Sequence, residues 1–183
     1  MSKSTTMKND GAGVSNIDNC YTEDELIRAA RAYAKEFLKT EEAREALDID
    51  LSIVTFEVST RMTRAAGKAI YHPDGTQTIR ISWKAYQGHS VDQVRSTIRH
   101  ELIHVNCAQN DLPTGHGPIF KLLAEVCDCE VHCPRFVTND EAKYLIECEE
   151  CELVLQRHRK SKLVKQTSRF SCGNCGGRLR QIK

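Results

Sequence analysis

The chain contains no apolar run that approaches the roughly 20 residues of a membrane-spanning helix, and we expect no membrane partner. Its N-terminal stretch has no apolar core, so we expect no secretory signal there. Residues 1–20 are polar and rich in Gly, Ser and Asn, which is typical of a disordered tail. These features predict a cytoplasmic protein that is free to associate with the nucleoid.

Acidic residues are absent from residues 153–183, which contain nine Lys and Arg. Residues 1–152 contain all 25 Asp and Glu, so the net charge of +1 divides into an acidic body and a basic tail. Such a tail predicts binding to a polyanion through salt-sensitive phosphate contacts, with a solvated surface as the alternative. Phe170 either stacks on an unpaired base or forms the aromatic core of the tail. The predicted nucleic-acid contacts are Arg157, Arg159, Lys160, Lys162, Lys165, Arg169, Arg178 and Arg180.

The cysteines do not suggest disulfides, because nine is an odd number and four of them form two CxxC pairs. Twenty residues separate the two pairs, which is a four-cysteine zinc spacing, whereas a redox dithiol would require a thioredoxin-like context. We predict a zinc ribbon with a hairpin formed by Leu153–Gln156 and Leu163–Thr167. Its structural zinc would be bound by Cys148, Cys151, Cys172 and Cys175.

A second metal-site pattern lies on a predicted helix. Ser90 and Gln93 form a capping box that predicts a helix over about 91–109. This helix contains the sequence HELIH, in which His100 and His104 lie on one face. HExxH also occurs by chance on amphipathic helices, but in zinc peptidases the two His bind the metal. The Glu between them, here Glu101, then acts as general base toward an activated water.

The third ligand determines the type of zinc site. The metzincin position, six residues after His104, is occupied by Asn110. Glu125 would be a downstream carboxylate ligand, but its amphipathic helix can also direct it to solvent. His116, which precedes a helix beginning at Pro118, is the preferred third ligand. The alternative is that His116 is a loop histidine that only caps this helix.

The remaining patterns predict an α+β fold with a short mixed sheet. They indicate a helix over about 23–39, a buried strand over Leu51–Val58, and a hairpin formed by Ala69–His72 and Thr78–Ser82. The helix after Pro118 is expected to bury an apolar stripe of Ile119, Leu122, Leu123 and Val126.

Two groups of residues remain without a definite role. One is a cluster of Cys127, Cys129, His132 and Cys133, which could bind a second structural metal. We favour the alternative that Cys127 packs at the end of its helix and that the other thiols are ordinary reduced cysteines. The residue that would stabilise an oxyanion is left open among His132, Arg135, Tyr144 and His72.

The sequence HELIH, a gap of eleven residues and then HGPIF resembles the SprT family of zinc metalloproteases. Arg61–Gly67 and Ile79–Ser82 resemble the strand region that precedes the active helix of this family, and the two CxxC pairs resemble the ribbon of its prokaryotic members. The resemblance covers about residues 22–183. It implies a zincin-like domain over 21–145 and a basic zinc ribbon over 146–183. The implied site has one catalytic zinc bound by His100, His104 and His116, with Glu101 as the catalytic acid and base, and one structural zinc.

The resemblance also implies an activity. Spartan-type members of the family cleave proteins crosslinked to DNA and need DNA for activity. We therefore expect a monomeric zinc endopeptidase that acts on DNA-bound proteins, with its substrate extended along a sheet edge near Thr78–Ser82. The alternative is a non-catalytic adaptor that binds nucleic acid through the ribbon and has a structural metal at HExxH.

Overall fold

The computed structural model describes residues 17–132, 136 and 141–183, and the chain divides into two compact units, residues 1–134 and 135–183. The architecture is α+β. The first unit contains α1 (Glu23–Phe37), α2 (Glu41–Ala46), β1 (Val54–Ser59), β2 (Gly67–Tyr71), β3 (Gln77–Ser82), α3 (Trp83–Gly88), α4 (Val91–Gln109) and α5 (Pro118–Val126). The second contains β4 (Tyr144–Cys148), β5 (Val154–Arg157), α6 (Lys162–Lys165) and β6 (Leu179–Gln181). Among the described residues, no helix has both the length and the apolar composition needed to cross a membrane.

The last residues of the predicted tail are packed, so the prediction of disorder is wrong for residues 17–20. Ile17 is buried and begins a short 3₁₀ turn. The Cys20 N–H donates to the Tyr86 hydroxyl at 2.7 Å, and that hydroxyl donates to the Ile17 carbonyl at 3.1 Å. An apolar anchor and a paired backbone therefore order this segment, whereas residues 1–16 of the tail lie outside the described part.

The first sheet has the strand order β1-β3-β2. β3 pairs with β1 in parallel and with β2 as the predicted antiparallel hairpin. The strand predicted to begin at Leu51 begins instead at Val54, because Asp50 caps a 3₁₀ turn over Leu51–Ile53. Since β3 is paired on both sides, Thr78–Ser82 is not a sheet edge and the predicted substrate position there is wrong. Among the described strands, the two edges of this sheet are β1 and β2.

Helix α4 carries the HELIH sequence across this sheet, and its bounds confirm the prediction of a helix over 91–109. Both hydrogen bonds of its capping box are present. The helix buries Ile98, Leu102 and Val105 in the core that it shares with α1 and the sheet. Near its C-terminus, the buried Asn106 side chain accepts a hydrogen bond from the Asp48 N–H at 2.8 Å.

Helix α5 presents a different face to the core from the predicted one. Phe120 and Ala124 are buried against α4, whereas three residues of the predicted stripe are exposed: Ile119 (40%), Leu122 (63%) and Val126 (40%). Leu123 is partly buried. The prediction of the buried stripe is therefore wrong for three of its four members.

The second unit contains a sheet of order β5-β4-β6 around a small core of Ile146, Val164 and Leu179. The predicted hairpin is wrong, because β5 pairs with β4 and Lys162–Lys165 forms a helical turn capped by Ser161. Phe170 is 41% exposed, so it is not the core aromatic of this unit. The unit begins about ten residues before the predicted ribbon boundary at 146, and that boundary falls within β4.

Candidate metal centre

The three predicted histidines lie together in the first unit. His100 and His104 are one turn apart on α4, and His116 reaches them from the loop before α5. Their Nε2 atoms lie 3.1 Å apart for His100 and His104, 3.0 Å for His104 and His116, and 3.1 Å for His100 and His116. Three imidazole nitrogens thus point at one common position.

This geometry fits a tetrahedral zinc ion. Zinc binds imidazole nitrogen at about 2.0–2.1 Å, which places tetrahedral ligands roughly 3.3–3.4 Å from one another. The observed separations are a few tenths of an ångström shorter, and no other group of three or more possible ligands in the described part of this unit meets at one point. Glu125, the alternative third ligand, lies exposed on α5 and is not part of the cluster.

Backbone carbonyls orient two of the rings. His100 Nδ1 lies 2.8 Å from the Glu130 carbonyl, which can only accept, so Nδ1 carries the proton and Nε2 presents its lone pair. The other ring nitrogen of His104 donates in the same way to the Thr114 carbonyl. The Glu130 N–H is in turn held by the Ser96 hydroxyl at 2.9 Å. These contacts select the tautomer that a metal ligand needs.

A buried phenyl ring forms the floor of the cluster. The Phe120 ring is fully buried, and its centroid lies 4.6–4.8 Å from the centroids of all three histidine rings. Burial lowers the pKa of His104 to about 4 and also lowers the pKa values of His100 and His116. The rings therefore favour the neutral form, which is the form that binds metal.

Glu101 is almost completely buried between α4 and β2, with 4% of its surface exposed. Desolvation raises the pKa of its carboxyl to about 8, against a smaller opposite effect of a hydrogen bond from the Ala69 N–H. Gly67 also faces this side chain, since a Cβ at that position would lie 2.5 Å from Glu101 Oε1. The carboxylate is therefore fixed by its surroundings rather than solvated.

A cleft of about 500 Å³ opens over the histidines and Glu101. β2 forms one wall with Gly67, Ala69 and Tyr71, and the segment from Glu130 to His132 forms another. The Tyr71 hydroxyl donates to the His104 carbonyl at 3.4 Å, and burial raises the pKa of this tyrosine to about 12.

The four candidates for oxyanion stabilisation lie in different places. His132 lines the cleft, and its ring centroid is 5.7 Å from that of His116. His72 is bonded to the Thr78 hydroxyl at 2.9 Å and does not line the cleft. Tyr144 belongs to the second unit, and Arg135 lies outside the described residues.

The cluster around Cys127 does not converge in the part that the structure describes. Cys127 is the buried C-cap residue of α5, and Cys129 packs against the same core. Burial raises the pKa of Cys127 to about 11 and that of Cys129 to about 12, which favours the protonated form of both thiols. His132 belongs to the cleft, and Cys133 lies outside the described residues.

The second unit brings the four predicted cysteines together. Their sulfurs lie 3.4 Å apart for Cys148 and Cys175 and 3.7 Å apart for Cys151 and Cys172, and all four are within 4.8 Å of one another. Tetrahedral zinc thiolates, with bonds of about 2.3 Å, place their sulfurs about 3.8 Å apart. The donor set therefore fits zinc.

The thiols also influence one another's ionisation. The Leu153 N–H lowers the pKa of Cys151 to about 6. The Gly177 N–H lowers the pKa of Cys175, but the neighbouring thiols outweigh it and raise this pKa to about 12. The contacts among the cysteines thus favour ionisation of Cys151 and oppose ionisation of Cys175.

The predicted nucleic-acid contacts lie mostly on the surface of the second unit. All eight are exposed except Arg157, which is half-buried and donates to the Gln156 carbonyl. Arg180 forms an ion pair with Glu147 at 2.7 Å. The exposed Phe170 directly follows Arg169 in the chain.

Three residues that contact the metal centre were not predicted as site residues, namely Gly67, Ala69 and Phe120. An isolated glycine within a strand pattern is a signal of close approach by a neighbouring group, and it could have identified Gly67. Ala69 contributes only its backbone, and Phe120 only its apolar ring, so neither residue type indicates a role by itself.

The chain resembles known proteins across most of its first unit. Residues 26–141 match the SprT-like family. The chain is 26% identical over 132 residues to Protein SprT-like of Bacillus thuringiensis subsp. konkukian, which covers 68% of this chain and 80% of that protein. It is 30% identical over 130 residues to Germ cell nuclear acidic-1 protein of Caenorhabditis elegans, covering 66% of this chain and 24% of that protein. Because the family match spans more than half of the 183 residues, the chain belongs to the SprT-like family.

Proposed function

We propose that the protein is a zinc-dependent endopeptidase that acts on DNA-bound or DNA-crosslinked proteins. The observation that carries this proposal is the buried Glu101 carboxylate, held beside three convergent imidazoles at a cleft with a free strand edge. The proposal includes one zinc at the histidines and a second at the cysteines. Membership of the SprT-like family supports it.

The residues of the cleft have separate tasks in this reaction. His100, His104 and His116 would hold zinc, which lowers the pKa of water and polarises a carbonyl. Glu101 takes a proton from the attacking water and passes it to the leaving amine. Its burial and the Ala69 N–H keep the carboxylate in one orientation during both transfers.

The peptide would lie along β2, which replaces the predicted position on β3. β2 has an unpaired side among the described strands and lines the cleft with Gly67, Ala69 and Tyr71. An extended peptide added to such an edge gains main-chain hydrogen bonds that do not depend on its sequence. Such binding suits an enzyme that meets many different protein substrates.

The basic surface of the second unit supports DNA as the partner that brings the enzyme to its substrate. Exposed Lys and Arg neutralise phosphates, and each contact adds about 0.9 to the slope of log affinity against log salt. Phe170 is exposed next to this charge and offers a face for a base.

The proposed activity is tested with Glu101→Gln on a protein crosslinked to DNA, with and without free DNA. Glutamine keeps the size of the side chain and an oxygen that accepts from Ala69, but it cannot act as a base. We expect the wild type to cleave and the variant to lose at least about 10²-fold in rate, with zinc content unchanged. Full activity of the variant would contradict the proposal. Zinc and DNA binding by the wild type without cleavage would favour the adaptor.

The DNA contact has its own test. Arg159→Glu/Lys160→Glu reverses two exposed charges of the ribbon, and Arg31→Glu/Lys35→Glu makes the same charge change on α1. We expect only the ribbon variant to weaken DNA binding and to reduce the salt slope by about 2. Equal losses in both variants would show that net charge, and not the ribbon surface, determines binding.

A further inference from the structure

Gly67, the first residue of β2, faces the Glu101 side chain so closely that a Cβ at this position would require neighbouring side chains to shift. A Cβ at Gly67 would lie 2.5 Å from Glu101 Oε1, 2.7 Å from Glu101 Cγ and 2.8 Å from Thr97 Cγ2. Ordinary van der Waals contact begins at about 3.4 Å. Gly67 does not have the left-handed backbone conformation of Gly75 and Gly176, so the requirement is for space.

The same strand also holds the carboxylate through its backbone. Ala66 bonds across to β3, since its carbonyl accepts from the Ser82 N–H. Polar groups alternate along an antiparallel pair, so Gly67 and Ala69 direct theirs away from β3. The Ala69 N–H accordingly donates to the Glu101 carboxylate. Glu101 is thus packed against Gly67 and anchored at Ala69, two residues further along the strand.

We propose that Gly67 is a positioning residue that sets the Glu101 carboxylate for proton transfer. The inference rests on the proposed peptidase function. An added methyl group must move the carboxylate by about 0.9 Å to restore ordinary contact with Oε1, because the β2 backbone is held by its pairing to β3. A displacement of about 1 Å at a reacting group costs on the order of 10²-fold in rate.

The kinetic test is Gly67→Ala in the full-length, zinc-loaded protein. We expect kcat to fall about 10²-fold, while KM and the zinc-to-protein ratio stay at their wild-type values. A merely structural role would lower the amount of folded, zinc-loaded enzyme without changing kcat per zinc. Unchanged kcat, or a rise in KM alone, would overturn the inference.

Thr97 provides a matched control, because it is the other side chain that the added methyl group would meet. Thr97→Ser removes Cγ2 and keeps the hydroxyl, which donates to the Gln93 carbonyl at 2.9 Å. In the double variant Gly67→Ala/Thr97→Ser we expect kcat to stay low, because the contact with Glu101 remains. Recovery of wild-type kcat would assign the effect to Thr97 and overturn the inference.

A stability measurement separates this inference from the proposed activity. Glu101→Ala removes Oε1 and Cγ, the two nearest of the three atoms that the new methyl group would meet. We therefore expect Gly67→Ala to lower the urea midpoint in the wild type and much less in the Glu101→Ala background. Unfolding is followed by the fluorescence of Trp83, the one tryptophan of the chain. If the wild type cleaves no substrate, the proposed function fails. The difference between the two midpoint shifts still measures the contact between residue 67 and Glu101. Equal midpoint shifts in both backgrounds would overturn the inference.

Discussion

Replacement of Phe120 by alanine should weaken both the stability of the first unit and its affinity for zinc. The ring is fully buried and lies within 4.8 Å, between ring centroids, of each histidine of the cluster. It also packs into the core that α5 forms with α4. No other described residue has its ring against all three imidazoles.

The magnitude follows from this burial. Removing a fully buried phenyl ring costs about 3–5 kcal/mol, through lost burial and the cavity that remains. Because domain stabilities are about 5–15 kcal/mol, this loss would be a large fraction of the total. The histidine rings also lose the surface that limits their rotation. Loss of outer support around a metal site typically lowers metal affinity about 10- to 100-fold.

Urea unfolding of metal-free protein, followed by Trp83 fluorescence, measures the stability term, and competition with a chromophoric chelator measures zinc affinity. Leu122→Ala is the matched control, because it makes a similar deletion on the same helix at a side chain that is 63% exposed. We expect that control to change stability by no more than about 0.5 kcal/mol. A loss below about 1 kcal/mol in Phe120→Ala, or unchanged zinc affinity, would refute the reasoning.

Two further predictions concern the C-terminal part of α4 and the cysteine cluster of the second unit. Asn106→Ala should destabilise the first unit by about 1–3 kcal/mol, because the Asp48 N–H loses its acceptor; urea unfolding that matches the wild type would contradict this. Cys175→Ser should remove the ribbon zinc and unfold the second unit, since binding of a structural zinc is coupled to folding. Metal analysis should show the loss of one zinc, and the urea transition followed by Trp83 fluorescence should show that the stability of the first unit is unchanged. Full retention of zinc would contradict the assignment of Cys175 as a ligand.

The features that sequence predicted correctly depend on contacts between residues close in the chain. The capping box at Ser90 defined the beginning of α4, and the HELIH spacing placed two histidines on one face. The short connection between Ala69–His72 and Thr78–Ser82 similarly predicted the β2–β3 hairpin. In each case the contacts that determine the structure span only a few residues, so the local sequence is sufficient to predict the element.

The errors arise where two local patterns are equally good or where distant segments meet. Along α5, the stripes Ile119, Leu122, Val126 and Phe120, Ala124, Cys127 both have intervals of three and four residues, which is helical spacing. Only packing against α4 selects the second stripe. β3 became a central strand because it pairs with β1, more than twenty residues earlier. The ribbon hairpin failed because Ser161 caps a helical turn at the place where a strand was expected.

The position of Glu101 supports the proposal of an active site over that of a structural metal site. Burial of a carboxylate opposes its charged form, and an apolar side chain would fill the same space without that cost. A structural metal needs only its ligands and the carbonyls that orient them, which here are those of Glu130 and Thr114. The fold instead keeps a glycine at residue 67 and directs the Ala69 N–H toward the carboxylate. Both features act on Glu101 and not on the three histidines, so they support the proposed reaction, in which that carboxylate takes part.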